Sequence, residues 1–109
     1  MNSSCFLENE FKFIVNGNSN GLLSTSCIRC EVHNDYEVIA TFRFNKDVFA
    51  DIESKIDKET HICIELCNTE GDEFVYLVNR NLYLNSYTIC VNQESHSFLT
   101  IECKFSDNK

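Results

Sequence analysis

The sequence predicts a mainly β protein, a sandwich or partly closed antiparallel barrel of about seven strands with one amphipathic α-helix. The predicted order is β-β-β-α-β-β-β-β. Two observations carry this. Apolar residues alternate with polar ones at period 2 through most of the chain, which marks strands buried on one face. A 3.6-residue period occurs only between residues 46 and 58. Proline is absent, so the turns fall to Asn, Gly, Asp and Ser.

Residues 1–9 carry no alternation and are expected to form a flexible arm on a single domain, 1–109. Residues 11–15, Phe-Lys-Phe-Ile-Val, read as a strand that ends in the Asn16-Gly17 to Gly21 loop. A long strand is expected over 22–32, and Asn34-Asp35 divides it from the next, 36–44. There Tyr36, Val38, Ala40, Phe42 and Phe44 share a face. Asn45 then stands as an N-cap, with Asp47 in the first helical turn and Lys55 and Lys58 in the last. Val48, Phe49, Ile52 and Ile56 make the apolar stripe of that helix. In 61–67 the core face is Ile62, Ile64 and Leu66, opposite His61, Cys63, Glu65 and Cys67. A turn at 69–72 separates this strand from 73–78, and 79–81 leads into a closing hairpin over 81–91 and 97–105, with its turn at 92–95. Leu99, Ile101, Cys103 and Phe105 share the core face of its second strand. The expected core is therefore Phe42, Phe44, Phe49, Ile52, Ile62, Ile64, Leu66, Leu99, Ile101 and Phe105.

Composition excludes several functional classes. No apolar run approaches the roughly 18–20 residues of a membrane span. The first residues lack the basic start and apolar stretch of a secretory leader, so a cytoplasmic or virion location is expected. Seven cysteines are an odd number, and several lie on apolar strand faces, where a reduced thiol behaves as a small hydrophobe. The net charge of −8, with no Lys/Arg cluster, argues against direct binding to nucleic acid. Glu65, Glu70, Asp72 and Glu73 form a candidate acidic interaction surface, suited to a basic partner or to a duct through which DNA slides.

Reactive constellations are few. Cys27-Ile-Arg-Cys30 is a C-x-x-C pair and names Cys27 and Cys30 as candidate metal ligands, with Cys63 and Cys67 as a second pair. On a regular strand, however, Cys27 and Cys30 point to opposite faces. Cys63 and Cys67 share a face but lie about 13 Å apart. Neither a metal nor another cofactor is expected. His33, His61 and His96 sit beside turns or strand ends, where imidazoles are usually solvated, and no nucleophile elbow, phosphate loop or zinc-protease motif is present. The carboxylate pairs Glu8/Glu10 and Asp72/Glu73 read as solvent-facing, so no catalytic residue is assigned. Tyr76, Tyr83, Tyr87 and Phe74 suggest a stacking platform, but Arg80 is the one cation beside them.

The segment Asn81-Leu-Tyr-Leu-Asn-Ser-Tyr-Thr-Ile-Cys-Val, a turn, and Ser97-Phe-Leu-Thr-Ile-Glu-Cys-Lys-Phe resembles the closing hairpin of phage tail-tube and related tail proteins. That resemblance implies a non-enzymatic tail-tube-like or minor tail component, such as a hub or initiator piece. Its copies, or other tail proteins, would join sheet edge to sheet edge into a ring whose acidic lumen does not hold DNA. The competing expectation is a small acidic module of phage type that blocks a basic host protein.

Overall fold

The computed structural model describes residues 3–67, 75–92 and 98–109. Seven strands and two helices follow one another as β1 (Ser4–Leu7), β2 (Phe11–Val15), α1 (Leu22–Ser26), β3 (Cys27–Asn34), β4 (Glu37–Arg43), α2 (Lys46–Ser54), β5 (Glu59–Leu66), β6 (Tyr76–Asn92) and β7 (Phe98–Ser106). The strands form one antiparallel sheet in the order β1-β3-β4-β7-β6-β5-β2, curled into a half-barrel. The mainly β class is as the alternation predicts. The predicted element order is not.

The curl is visible in one contact. Phe13 on the edge strand β2 lies four places from β4 in the sheet, a separation of about 19 Å if the sheet were flat. Its ring nevertheless meets Phe42 of β4 edge-on, with centroids 5.5 Å apart, and Phe105 of β7 at 6.0 Å. All three rings are 2% exposed or less. Around them the inner face gathers Val38, Ala40, Ile62, Ile64, Leu82, Leu84 and Ile101, every one at 0% exposure. Val48 and Ile52 of α2 complete this core at 0%, while Phe44 and Phe49 pack against it partly buried. Leu66, expected with them, is half-buried at the end of β5.

The N-cap of α2 is as expected, since the Val48 N–H donates to Asn45 Oδ1 at 2.9 Å. The helix stops at Ser54, short of residue 58. At Asp57 the backbone turns left-handed (φ 61°), and its N–H donates to Leu84 O at 2.9 Å. That bond, with the parallel bridge of Ile56 to Leu84, fastens the chain to β6 and ends the helical ladder.

Four further differences have physical causes. The expected arm contains β1, which pairs with β3 from Ser4↔Val32 to Leu7↔Arg29. Backbone pairing holds it, so no alternation is needed. The expected strand over 22–32 begins as helix: Thr25 N–H and Oγ1 both donate to Gly21 O, and only from Cys27 does β-pairing start. The break expected at 79–81 is absent, because Asn79, Arg80 and Asn81 pair with Cys63, Ile62 and His61 inside a continuous β6. At about 3.3 Å per residue its 17 residues would run about 56 Å straight, longer than the 38 Å major extent of the molecule. The strand must bend, and it carries a bulge at Asn85, between the Leu84 and Ser86 registers. Finally, Leu99 is 40% exposed and Tyr36 42%. Leu99 lies on the inner face, opposite Val91, but beyond the reach of the core. The turns expected at 69–72 and 93–95 lie outside the described residues.

Truncating Phe13 removes the contact that bridges the curl. Phe13→Ala is expected to lower unfolding free energy by about 3–5 kcal/mol, and Asn45→Ala by about 1 kcal/mol. Exposed Lys12→Ala, one residue away, is expected to shift it by less than about 0.5 kcal/mol. Urea midpoints of the three variants check this order.

Candidate functional site

The thiols are the most reactive side chains in the chain, and the sheet decides what they can do. Between Cys27↔Phe42 and Arg29↔Thr41 the β3–β4 register shifts, with Ile28 as the extra residue. This bulge turns Cys27 to the same face as Cys30, correcting the expectation that they point apart. Cys30 lies opposite Ala40, which lies opposite Cys103 on its other side. Three thiols thus line one part of the inner face. Cys27 is 6% exposed, and Cys30 and Cys103 are at 0%.

Burial removes their reactivity. Loss of hydration pushes Cys30 and Cys103 up to about 12 and raises Cys27 well above its usual range, with the neighbouring Cys30 adding to the effect. A protonated thiol is neither nucleophile nor metal ligand. Among the described residues, no group of three or more His, Cys, Asp or Glu side chains is placed to hold a metal ion. Cys63 is buried on the outer face, and burial raises it as well.

The other candidates disperse. The bulge at Asn85 sends Tyr83 and Tyr87 to opposite faces. Tyr87 faces inward, edge-on to Phe49 at 5.5 Å, and its hydroxyl donates to Glu53. Tyr83 faces outward and donates to Glu59 at 3.1 Å, a bond that holds its phenol above the usual range. No stacking surface joins them. Arg80 reaches Asp35 at 3.5 Å and Asp107 at 4.0 Å, tying β6 to the β3–β4 turn and the C-terminal residues. Glu65 is half-buried on β5. Glu70, Asp72 and Glu73 lie outside the described residues, as do Phe74 and His96. His33 Nε2 lies 3.5 Å from Glu31 Oε2, too far for a strong hydrogen bond, and has no other partner among the described residues. The clefts among the described residues include two of about 310 Å³, one beside α1 and the Asp51–Lys55 pair, the other at the Asn85 bulge between Glu37 and Lys104. Neither brings a nucleophile to a base.

One surface stands out by its exposed apolar area, and it includes Leu99, which the alternation places in the core. Ile89, Val91 and Leu99 are 44%, 59% and 40% exposed. Ile89 pairs with Ile101 and Val91 with Leu99, so all lie on the inner face of the β6–β7 hairpin. β5 pairs no further along β6 than Tyr83, and β4 no further along β7 than Thr100. The hairpin end therefore projects past the core with its apolar side uncovered among the described residues. The period-2 pattern places Leu99 on the face of Ile101, Cys103 and Phe105. It could not reveal where the core ends. Among the described residues, no helix is long and apolar enough to cross a bilayer.

Two measurements follow from the thiols. A maleimide titration of the native chain is expected to label three cysteines (exposed Cys5, partly exposed Cys67 and Cys90), and all seven after denaturation. The buried thiols have folded-state values raised above the unfolded 9.0, so their contribution is complete below pH 9 and is lost as pH rises toward 12. Melting temperature is expected to fall across that interval. Cys103→Ala is expected to start less stable but to decline less steeply; parallel profiles would contradict the assignment. Comparison of the chain with protein-family models, curated proteins and solved structures gave no match.

Proposed function

We propose that the chain is a non-enzymatic assembly subunit of the phage tail-tube-like or minor tail kind, whose copies join through sheet edges and the projecting hairpin into rings. The observation that carries this reading is the uncovered apolar face of Ile89, Val91 and Leu99. These three aliphatic side chains are uncovered among the described residues, and contact with another molecule would bury them. An open half-barrel is also a natural unit for a larger barrel, because its two edge strands, β1 and β2, each have a strand neighbour on one side.

A second reading is favoured by charge. Arg29, Arg43 and Arg80, which are all the arginines of the chain, sit in ion pairs with carboxylates, within a net charge of −8. Such a surface suits a small acidic module that blocks a basic host protein.

Sedimentation velocity and negative-stain microscopy across a concentration series separate the two. The assembly reading expects concentration-dependent rings or tubes, abolished by Val91→Asp or Leu99→Asp with little change in melting temperature, since both positions are exposed. A monodisperse monomer at millimolar concentration would overturn it. Salt-sensitive capture of a basic partner by that monomer would support the blocking module.

A further inference from the structure

The edges of a curled sheet present unpaired backbone groups, and this chain treats its two edges differently. The direction of each group follows from the hydrogen bonds that bracket the strands. Glu8 N–H donates to Ile28 O at 3.0 Å, so Ser4, Phe6 and Glu8 turn their backbone groups toward β3. Cys5 and Leu7 turn theirs outward. On the opposite edge, Cys67 N–H donates to Glu10 O and Asn16 N–H to His61 O. Phe11, Phe13 and Val15 therefore direct theirs away from β5.

The β2 edge is protected by bulk. Phe13 is 2% exposed and Phe11 7%, α1 packs against the strand, and Val15 O accepts from Asn18 N–H. Exposed Lys12 adds a charge. Among the described residues, the β1 edge has no such cover. Ser4 and Cys5 are exposed, Leu7 is 58% exposed, and no side chain from Ser4 to Leu7 carries a charge. Lysine, proline and bulges, the usual deterrents to strand addition, are all missing from it.

Glu10 supplies the deterrent instead. Its carboxylate Oε1 accepts from Leu7 N–H at 2.7 Å, and its own N–H donates to Leu7 O at 3.0 Å. Both outward groups of Leu7 are thereby occupied, the carbonyl by the main chain of residue 10 and the N–H by the Glu10 carboxylate, so a substitution at Glu10 frees the N–H alone. The left-handed Asn9 (φ 79°) makes the tight turn that brings Glu10 back over the edge. Only Cys5 keeps its outward pair in the described part of β1.

We propose that Glu10 is a guard on the β1 edge, and that a second copy of this chain pairs there, β1 antiparallel to β1, when the guard is released. A strand meeting its own copy antiparallel satisfies a two-fold axis and closes as a dimer. Charge permits it at this edge: Arg29 is paired with Glu31, and Arg43 with Glu8, so a chain of net charge −8 presents compensated charges beside β1. This inference rests on the assembly reading for the use of the β1 edge and narrows it: a two-fold β1 pair closes as a dimer, so ring growth then falls to the hairpin, and the two are tested separately.

Cys5, central in the edge strand, reports the pairing directly. In a Cys67→Ser/Cys90→Ser background of the full chain, a short bismaleimide is expected to link Cys5 to Cys5 roughly ten-fold more in Glu10→Ala than in the guarded chain. Glu10→Gln, whose amide oxygen still accepts from Leu7, is expected to stay near the guarded level. Adding Leu7→Lys to Glu10→Ala is expected to abolish the link. If Glu10→Ala does not fold, Glu10→Ser, too short to reach Leu7, carries the same test. A folded Glu10→Ala or Glu10→Ser chain with no gain in linked dimer overturns the guard. So does a gain that Leu7→Lys leaves unchanged. Rings formed by the wild-type chain and insensitive to Glu10 leave the assembly role intact while removing the guard. A Cys5-linked dimer in a chain that never forms rings does the reverse.

Discussion

The contact of Phe13 with Phe42 and Phe105 is the constraint on which the rest of the structure depends. It joins an edge strand to the middle of its own sheet, which is possible only if the sheet curls. Once curled, the inner face becomes an enclosed core instead of a flat apolar surface, and α2 needs to add only Val48, Ile52 and the flanking phenylalanines to cover it. The same curl brings β1 and β2, the two ends of the sheet order, close enough to be joined by the three residues 8–10. A single sheet of this size has no second sheet to pack on, so curvature takes the place of the sandwich.

Two bulges then decide what the inner face contains. The extra residue Ile28 brings Cys27 to the side of Cys30 and Cys103. The extra residue Asn85 lets the long β6 bend and moves Tyr87 inward while Tyr83 stays out. Each is a one-residue displacement that reverses the facing of everything beyond it. The chemical result is large. Three thiols that could have bound a metal on a surface knuckle are dry, protonated packing groups, and the aromatic platform is divided between two faces.

What remains available to a partner is what the core leaves uncovered. The hairpin end carries aliphatic side chains past the last strand that could bury them, and the sheet edges carry backbone groups. The edges are treated with care: α1 and Lys12 on β2, the Glu10 carboxylate on β1. Features of this kind are the usual deterrents to strand addition at an open sheet edge.

The sequence by itself determined the β class, the one-sided burial of β4, the inward pair Ile62 and Ile64 of β5, the inward set Ile101, Cys103 and Phe105, and the start of α2 at Asn45. These are local matters, since period, cap chemistry and polarity are written in neighbouring residues. Tertiary structure alone decided that Ser4–Leu7 is a strand, that residues 22–26 are helical, that β6 passes unbroken through Asn79–Arg80–Asn81, and that Leu99 is exposed. β1 exists because β3 offers it a ladder. β6 is continuous because β5 pairs with the polar residues that looked like a turn. Leu99 is exposed because it lies near the start of β7, past the last residue that pairs with β4. The closing hairpin was legible in its alternation, but which half of its apolar face is core and which half is surface depends on how far the other strands reach, and that length is set by distant parts of the chain.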